Sequence, residues 1–235
     1  MMKSFLMIGQ SNMAGRGDFG EVEEIKNPLC KMLRNGRWQP MSEPINPDRQ
    51  IWGVFHSGVG LAASFADEYA KHFDEEIGLI PCADGGTKIS QWQPGELLFD
   101  NAIAQAKLAQ RTSEIVGILW HQGENDSHFE EDAELYAERF KKLMDTLKGE
   151  LGLDDNVPVI IGELGEFVGG FAGGKCKYFK RVNGTLKELG KEYGGFVSAE
   201  GLTCKEDGIH FNSASYREFG KRYFAEYLRV KNELL

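Results

Sequence analysis

Ser11, Asp207 and His210 are three residues whose types could together carry out nucleophilic catalysis. A serine hydroxyl becomes a good nucleophile only when a base removes its proton, and histidine, with an unperturbed pKa of about 6.5, is the usual base near neutral pH. The base needs a carboxylate that fixes its tautomer, and Asp207 lies three residues before His210. Such triads occur in several chain orders, so these residues predict a Ser–His–Asp site for acyl transfer.

Each of these residues also has an ordinary structural interpretation. Ser11 follows a predicted strand and could cap the N-terminus of a helix, and Asp207 could cap the last helix and leave His210 exposed. Glu124 is the main alternative to Asp207 as the catalytic acid, although a supporting hydrogen bond to loop backbone near Ser11 is the preferred interpretation of it.

Acyl transfer also requires hydrogen-bond donors for the negatively charged oxygen of the intermediate. The candidates are the backbone N–H of Ser11, the backbone N–H of Gly85 or Gly86, and the side-chain amide of Gln122. A Gly-Gly pair lets the backbone approach a substrate closely, but it suits a simple turn equally well. Gln122 would otherwise be a buried structural amide, and the choice between Gly85 and Gly86 stays open.

His121, Glu124 and His128 are side chains that could bind a metal ion. Their spacing lacks the i, i+4 pair of a helical metal site, so structural or surface roles are expected and no metal is predicted. Trp92, within Gln91-Trp92-Gln93-Pro94-Gly95, could stack on a sugar ring or pack in the core.

Short apolar runs alternate with amphipathic stretches along the chain. The apolar runs predict strands at 5–8, 77–80, 115–120, 157–161 and 195–199. Helical spacing of apolar residues predicts helices at about 58–73, 97–109, 133–147, 179–189 and 213–228.

This alternation predicts an α/β protein, a three-layer α/β/α sandwich around a flavodoxin-like, five-stranded parallel sheet. Ligands bind such sheets beyond the carboxyl ends of the strands, where the polar clusters 9–15, 84–87 and 121–126 are expected. Residues 20–57 contain four prolines and fit no periodic pattern, so they are predicted to form a long loop insertion and a wall of the substrate site. The whole chain, 1–235, is expected to be one domain.

Composition narrows the classes of partner. The 235 residues include 27 basic and 36 acidic ones, for a net charge of −9, so neither nucleic acid nor an anionic membrane surface is expected as a partner. A small-molecule or oligosaccharide ester is compatible with this charge. The four cysteines form no CxxC pair and are predicted to be free thiols. No signal-peptide core or membrane-spanning run is present, which predicts a cytoplasmic location unless a secretion signal has been removed.

Four motifs together resemble one family. They are Gly9-Gln10-Ser11-Asn12-Met13-Ala14-Gly15, Asp84-Gly85-Gly86-Thr87, Trp120-His121-Gln122-Gly123-Glu124 and Asp207-Gly208-Ile209-His210-Phe211. In this order they resemble the sialate O-acetylesterase-like domain, which includes the acetylxylan esterases of carbohydrate esterase family six and belongs to the SGNH (GDSL-type) hydrolase superfamily. The resemblance spans residues 3 to about 228.

The resemblance implies a nucleophile at Ser11, an Asp207–His210 pair, and oxyanion donors at Ser11, the Gly85-Gly86 turn and Gln122. It implies no metal and no cofactor. Gln10 stands where many superfamily members have Asp, and Gln122 stands where many have Asn; both are usual in the sialate-esterase-like branch. Four further residues are expected to support the site or contact substrate, namely Gln10, Asn12, Glu124 and Trp92.

The expected activity is hydrolysis of O-acetyl esters on carbohydrates, of the acetylxylan or O-acetylated sialic acid type. One alternative keeps the triad in a general short-chain esterase or thioesterase. Another is a sugar-binding module that has lost catalysis, which would predict a missing triad member. A nucleotide or flavin binder is disfavoured because no GxGxxG motif or P-loop follows the first strand.

Overall fold

The computed structural model describes residues 1–48 and 56–233, which contain seven strands and six α-helices. The strands are β1 (Met2–Gly9), β2 (Cys30–Arg34), β3 (Arg37–Pro40), β4 (Ile77–Pro81), β5 (Ser113–His121), β6 (Val159–Gly162) and β7 (Gly194–Val197). The helices are α1 (Ser11–Ala14), α2 (Leu61–Phe73), α3 (Leu97–Ala109), α4 (Glu130–Leu151), α5 (Phe179–Tyr193) and α6 (Ser213–Glu233). Short 3₁₀ turns lie at Ile89–Trp92, Asp126–His128 and Glu166–Gly173.

The strands form one sheet in the order β3-β2-β4-β1-β5-β6-β7, in which only β3 is antiparallel to its neighbour. Strand β1 lies at the centre of the sheet, and its residues 4–9 are buried. Since successive side chains of a strand point to opposite sides, both faces of the strand are covered. Phe5 and Met7 belong to the apolar core on one side of the sheet, and Leu6 and Ile8 to the core on the other. A strand covered on both faces reads as a continuous apolar run, which is the pattern of residues 5–8.

Helices cover both faces of the sheet, which confirms the predicted three-layer α/β/α class. Helices α2 and α6 pack on the side of Phe5, whose ring lies 4.8 Å from that of Phe65 and 4.9 Å from that of Tyr227. Helices α3, α4 and α5 pack on the side of Leu6 and Ile8. Each helix therefore buries one apolar stripe against the sheet, as expected for amphipathic helices.

The sheet has seven strands, so the predicted number of five is wrong although the fold class is confirmed. The two extra strands, β2 and β3, form a hairpin within residues 20–57, and β2 runs parallel to β4. Asn35 and Gly36 make the turn with φ of 52° and 75°, and Asn-Gly is the preferred pair for such a hairpin turn. The prolines around this hairpin obscured the signal. Residues 49–55 of the predicted loop lie outside the described residues.

The five predicted helices are all present, and α4 is longer than expected. It runs Glu130–Leu151 instead of 133–147. Its first turn carries three acidic residues, which favour a helix N-terminus without adding to the apolar pattern. Gly152, with φ of 62°, then ends the helix in the left-handed region. Within residues 1–48 and 56–233, no helix has the length and apolar character needed to cross a membrane.

The four cysteines are free thiols, as predicted. Cys30, Cys82 and Cys176 are buried, and Cys204 is half-buried. The fold is therefore held by its apolar core and hydrogen bonds without covalent cross-links between these side chains.

Candidate active site

Ser11 lies directly after β1 and is the first residue of helix α1. The turn before it is tight, because Gly9 has φ of 133° and a Cβ there would lie 2.2 Å from the carbonyl oxygen of His121. Only glycine fits such a position. The capping position belongs to Gln10, whose side chain makes no capping hydrogen bond. The capping interpretation of Ser11 therefore does not apply, and its hydroxyl is available to another partner.

That partner is His210. The hydroxyl oxygen of Ser11 lies 2.9 Å from Nε2 of His210, and Nδ1 of His210 lies 2.8 Å from Oδ2 of Asp207. When Nδ1–H donates to the carboxylate, Nε2 is left as an acceptor for the serine O–H. The structure thus brings the three predicted residues together in an arrangement that can remove the serine proton.

Asp207 is positioned by the loop that precedes α6. Its Oδ1 accepts the backbone N–H groups of Ile209 and His210, each at 3.0 Å, which leaves Oδ2 for the imidazole. Burial favours the protonated carboxyl, but these backbone and imidazole N–H groups outweigh it and hold the pKa of Asp207 below its usual value. Asn212 serves as the cap of α6, since its Oδ1 accepts the N–H of Ser215 at 2.9 Å. Asp207 therefore does not have the capping role considered above.

A cavity of about 220 Å³ opens beside the serine and the histidine. Side chains and backbone from five separate loops line it: Gln10, Ser11, Arg16, Gly85, Gly86, Asn125, His128, Phe171, Lys175, Ile209 and His210. A second, more open cavity of about 410 Å³ shares Arg16 and His210 and continues past Phe19. The imidazole therefore borders space on two sides.

Gly85 lies beside the Ser11 nucleophile, whereas a side chain added at Gly86 would extend into open space. A Cβ at Gly85 would lie 3.7 Å from Cβ of Ser11, and a Cβ at Gly86 would meet no atom within 4 Å. The N–H of Ser11 has no acceptor within α1, because it belongs to the first turn of that helix. Of the two alternatives that the sequence left open, this geometry favours Gly85.

Gln122 is not among the residues that line the cavity. Its side chain is fully buried, and its Nε2 lies within 3.2 Å of Oε1 of Gln10, the carbonyl of Thr87 and a carboxylate oxygen of Asp126. A side-chain amide has two N–H groups, so these acceptors leave none for a substrate oxygen. The geometry agrees with the buried structural amide and does not fit the expected oxyanion role.

Asn12 joins helix α1 to the histidine loop. Its Nδ2 donates to a carboxylate oxygen of Glu124 and to the carbonyl of Ile209, and its Oδ1 accepts the N–H of Phe211 at 3.3 Å. Ile209 and Phe211 flank His210 in the chain. Ser11 directly precedes Asn12 in the chain, so these hydrogen bonds fix the position of the His210 imidazole relative to Ser11.

Glu124 supports the position of Asn12 by accepting its side-chain amide. It is fully buried, and its Oε1 lies 3.6 Å from Nε2 of His121. Burial favours the neutral carboxyl, but the imidazole of His121 and the amide of Asn12 outweigh it and hold the pKa of Glu124 below its usual range. No hydrogen bond in the described part of the chain joins Glu124 to His210. The expected supporting role fits, with the Asn12 side chain as partner instead of loop backbone.

Asp126 is a buried carboxyl that sequence reasoning did not single out. Its Oδ2 accepts the N–H of Ile89 at 3.0 Å and the amide of Gln122, and its buried Oδ1 has no hydrogen-bond partner among the described residues. Burial raises the pKa of Asp126 to about 6. Its place in the polar cluster 121–126 was the available signal. The carboxyl ties the loop after β5 to the loop that contains Gly85.

Asp126→Asn should therefore change how stability depends on pH. Because the folded-state pKa of about 6 lies above the ordinary aspartate pKa of 3.8, the contribution of Asp126 to the free energy of unfolding falls as pH rises from about 4 to about 6. Relative to wild type, the variant should gain up to about 3 kcal/mol between pH 4 and pH 7. Urea unfolding across this range measures the effect, with the exposed Asp155→Asn as control. A constant difference between the variant and wild type would contradict the assignment.

Trp92 packs inside the protein. Its side chain is fully buried, its Nε1 donates to the hydroxyl of Thr87 at 3.0 Å, and its ring meets that of Trp120 edge-on at 5.9 Å. This agrees with the packing interpretation, and a buried ring is not placed to stack on a sugar. As for metals, no group of three His, Cys, Asp or Glu side chains suited to an ion occurs in residues 1–48 and 56–233.

Several cavity residues were not predicted from the sequence. Arg16 and Asn125 adjoin or lie within motifs that were recognised, so proximity to those motifs was an available signal. Phe171 and Lys175 come from the glycine-rich stretch around the turn Glu166–Gly173, which carries no recognisable pattern. The wall opposite the motifs therefore could be found only in the folded structure.

Comparison with known proteins places these features in a family. The family described as carbohydrate esterase, sialic acid-specific acetylesterase matches residues 1–229. A probable carbohydrate esterase of Arabidopsis thaliana is 29% identical over 243 residues, which cover 95% of this chain and 89% of that protein. Its solved structure has a TM-score of 0.85 at 28% identity and covers 97% of this chain and 98% of its own.

Two more distant structures share the fold. NanS has a TM-score of 0.79 at 15% identity and covers 99% of this chain and 98% of its own. A carbohydrate acetylesterase from Xanthomonas citri has a TM-score of 0.67 at 18% identity, covering 98% of this chain and 56% of its own. These neighbours have the SGNH hydrolase fold that the motifs predicted. Because the family match extends over nearly the whole sequence, this chain belongs to the carbohydrate esterase family of sialic acid-specific acetylesterases.

Proposed function

We propose that this protein is a serine esterase that hydrolyses O-acetyl esters of carbohydrates, with Ser11 as nucleophile, His210 as base and Asp207 as the carboxylate partner. The observation that carries the proposal is the chain of hydrogen bonds of 2.9 and 2.8 Å through His210, which ends at a serine beside a cavity. The family supports an acetylesterase activity.

In the first step, His210 Nε2 accepts the proton of the Ser11 hydroxyl as Ser11 Oγ attacks the acetyl carbonyl carbon. The carbonyl oxygen becomes negatively charged, and the backbone N–H groups of Ser11 and Gly85 are the donors proposed for it. Asp207, whose pKa is held low, stays ionised and stabilises the imidazolium that forms.

In the second step, the carbon–oxygen bond to the sugar breaks, and His210 gives its proton to the departing sugar oxygen. Acetyl remains on Ser11 as an ester. Water then attacks this ester while His210 accepts one of its protons. When the second intermediate collapses, the bond to Ser11 Oγ breaks and His210 gives its proton to that oxygen, so acetic acid leaves and the serine hydroxyl is restored. The net reaction adds one water across the ester and needs no metal or redox partner.

The cavity size favours a short acyl group. Its volume of about 220 Å³ lies below the roughly 300–1,000 Å³ typical of pockets for drug-sized ligands. The lining includes Gly85, where a Cβ would lie 3.7 Å from Cβ of Ser11, so this wall lies close to the nucleophile. The same reasoning covers a general short-chain esterase or thioesterase, which differs from the proposal only in the leaving group.

Gly85→Ala and Gly86→Ala should separate the two candidate donors. The added Cβ at Gly85 would lie 2.5 Å from a guanidinium nitrogen of Arg16 and next to Ser11, so kcat should fall by at least about tenfold. Gly86 has φ of 73° and open space around it, so alanine there should cost roughly 1 kcal/mol of stability and change kcat little. Steady-state kinetics with thermal unfolding measures both, and the reverse pattern would favour Gly86.

Acetate release from O-acetylated monosaccharides tests the proposed substrate. We expect release with the wild-type enzyme, none with Ser11→Ala, and little hydrolysis of p-nitrophenyl octanoate. Equal kcat/KM for sugar acetates, simple acetyl esters and acetyl thioesters would favour the general esterase. Wild-type protein that binds sugars and hydrolyses no ester would favour a binding module. The Arabidopsis relative is described as a probable carbohydrate esterase and the family as specific for sialic acid, which leaves neutral and acidic sugars as alternatives.

A further inference from the structure

The wider cavity, of about 410 Å³, lies on the base side of the candidate triad. Its described lining includes His210 and Asp207, whereas Ser11 and Gly85 line the smaller cavity of about 220 Å³. In the proposed mechanism His210 gives its proton to the departing oxygen, so the alcohol part of the ester must lie next to this imidazole. With the acetyl group beside Ser11 and Gly85, the alcohol part extends into the wider cavity.

A second imidazole, that of His56, lines the wider cavity and has no part in the proposed mechanism. Nδ1 of His56 lies 2.9 Å from Oδ2 of Asp48, and Oδ1 of Asp48 accepts the backbone N–H of Ser57 at 2.6 Å. The Asp207–His210 pair has the same pattern, with one carboxylate oxygen bound to backbone and the other to the imidazole. The N–H of Ser57, followed by the imidazole of His56, holds the pKa of Asp48 below its usual value, so this carboxyl stays ionised near neutral pH.

Asp48 determines which nitrogen of His56 accepts a hydrogen bond. A carboxylate has no proton to donate, so the neutral imidazole donates Nδ1–H to it and Nε2 carries the free lone pair. Among the residues that the structure describes, Nε2 has no hydrogen-bond partner. The His56 side chain is 76% exposed, so a ligand can reach it from solvent. An exposed pair of this kind adds little to stability, so its contribution to the fold does not explain it.

The rest of the lining suits a hydroxylated molecule. The ring of Phe19 is 60% exposed and gives the wider cavity an apolar surface. The backbone before this ring is anchored, because the carbonyl of Asp18 accepts the hydroxyl of Ser213 at 3.0 Å and its carboxylate pairs with Lys205 at 2.7 Å. Small-molecule sites combine apolar surface with a few placed polar groups in roughly 300–1,000 Å³, and the wider cavity falls within this range.

We propose that the wider cavity binds the alcohol part of the ester, and that His56, oriented by Asp48, accepts a hydrogen bond from a free hydroxyl group of that alcohol. This inference rests on the proposed function. It makes His56 a residue that selects polyhydroxylated alcohols over apolar ones, while His210 remains the base. An analogue without the hydroxyl is disfavoured, because the His56 acceptor loses water on binding and gains no partner.

Two six-membered-ring acetates test this recognition. One is methyl β-xylopyranoside acetylated at a single hydroxyl, with each of its positions assayed in turn, and the other is cyclohexyl acetate, which has no hydroxyl. Wild-type enzyme should prefer a xyloside, and His56→Ala should lower the ratio of the two kcat/KM values about three- to tenfold, as expected for one hydrogen bond between neutral groups. His72→Ala is the matched control, because His72 is exposed on α2 and lines neither cavity. This variant should keep the wild-type ratio.

Asp48→Asn tests the positioning role of the carboxylate with a spectroscopic readout. Nitrogen NMR, at a pH where the imidazole is neutral, should show the Nδ1–H tautomer of His56 in wild type and a shift towards the Nε2–H tautomer in the variant. The same variant should lower the ratio of the kcat/KM values, although asparagine keeps an acceptor for the N–H of Ser57. Wild-type His56 in the Nε2–H tautomer would overturn the assignment of Nε2 as acceptor.

The outcomes also separate this inference from the proposed function. A wild-type ratio at or below one, an unchanged ratio in His56→Ala, or a fall by the same factor for both substrates would each refute recognition by His56. If Ser11→Ala has lost both activities, these results leave the serine esterase intact. Activity that persists in Ser11→Ala would refute the proposed function itself.

Discussion

Replacing Ser11 with alanine should lower kcat for acetyl ester hydrolysis by at least about 10⁴-fold and leave the protein folded. The hydroxyl makes a hydrogen bond to Nε2 of His210 and does not cap α1, so its removal costs the helix little. No other side chain in the described cavity holds an oxygen nucleophile at that imidazole nitrogen. The loss should therefore appear in the acylation step.

Steady-state hydrolysis of p-nitrophenyl acetate, together with thermal unfolding, measures this effect. Ser198→Ala is a suitable control, because the hydroxyl of Ser198 is exposed and donates to Glu163 away from the cavity. The control should keep wild-type kcat. Residual activity of Ser11→Ala above about one per cent of wild type would show that another group attacks the ester.

Replacing Asp207 with asparagine should lower kcat by about 10³- to 10⁴-fold, and replacing Glu124 with glutamine should cost at least tenfold less. Asp207 accepts the Nδ1 proton of His210 at 2.8 Å, so an amide there would favour the wrong imidazole tautomer. Glu124 touches the Asn12 amide and His121, and it acts on the histidine loop only through Asn12. Glutamine keeps an acceptor for that amide.

This pair of variants decides which carboxylate serves His210. Thermal unfolding separates an effect on stability from an effect on catalysis. Glu124 is fully buried, so its replacement should lower stability more than the replacement of half-exposed Asp207. A pH–rate profile adds a second readout, since only the residue bonded to the imidazole should change its shape. A larger fall in kcat for Glu124→Gln than for Asp207→Asn would contradict the assignment.

The position of the candidate triad could be inferred from sequence because its signals are local and the topology is regular. Ser11 and the loop with Gly85 follow β1 and β4, which are neighbours in the parallel sheet. The carboxyl ends of parallel strands meet at one edge, so polar clusters after such strands must converge. Asp207 and His210 are three residues apart, and one short loop is enough to make them meet.

Other parts depended on contacts that leave no local pattern. The hairpin of β2 and β3 was missed because prolines around it hid an Asn-Gly turn. The partners of Gln122 are set by how the loops around Thr87 and Asp126 pack, so its buried role could not be read from its motif. Phe171 and Lys175 reach the cavity from a stretch whose sequence shows neither periodicity nor a motif.

Covalent labelling with a fluorophosphonate tests the central claim most directly, because the reagent forms a stable ester with a serine that a neighbouring base activates. The labelled protein is digested, and mass spectrometry locates the modified residue. We predict a label on Ser11 that is absent in Ser11→Ala and much slower to form in His210→Gln. A label on a different serine, or equal labelling of Ser11→Ala and wild type, would contradict the account.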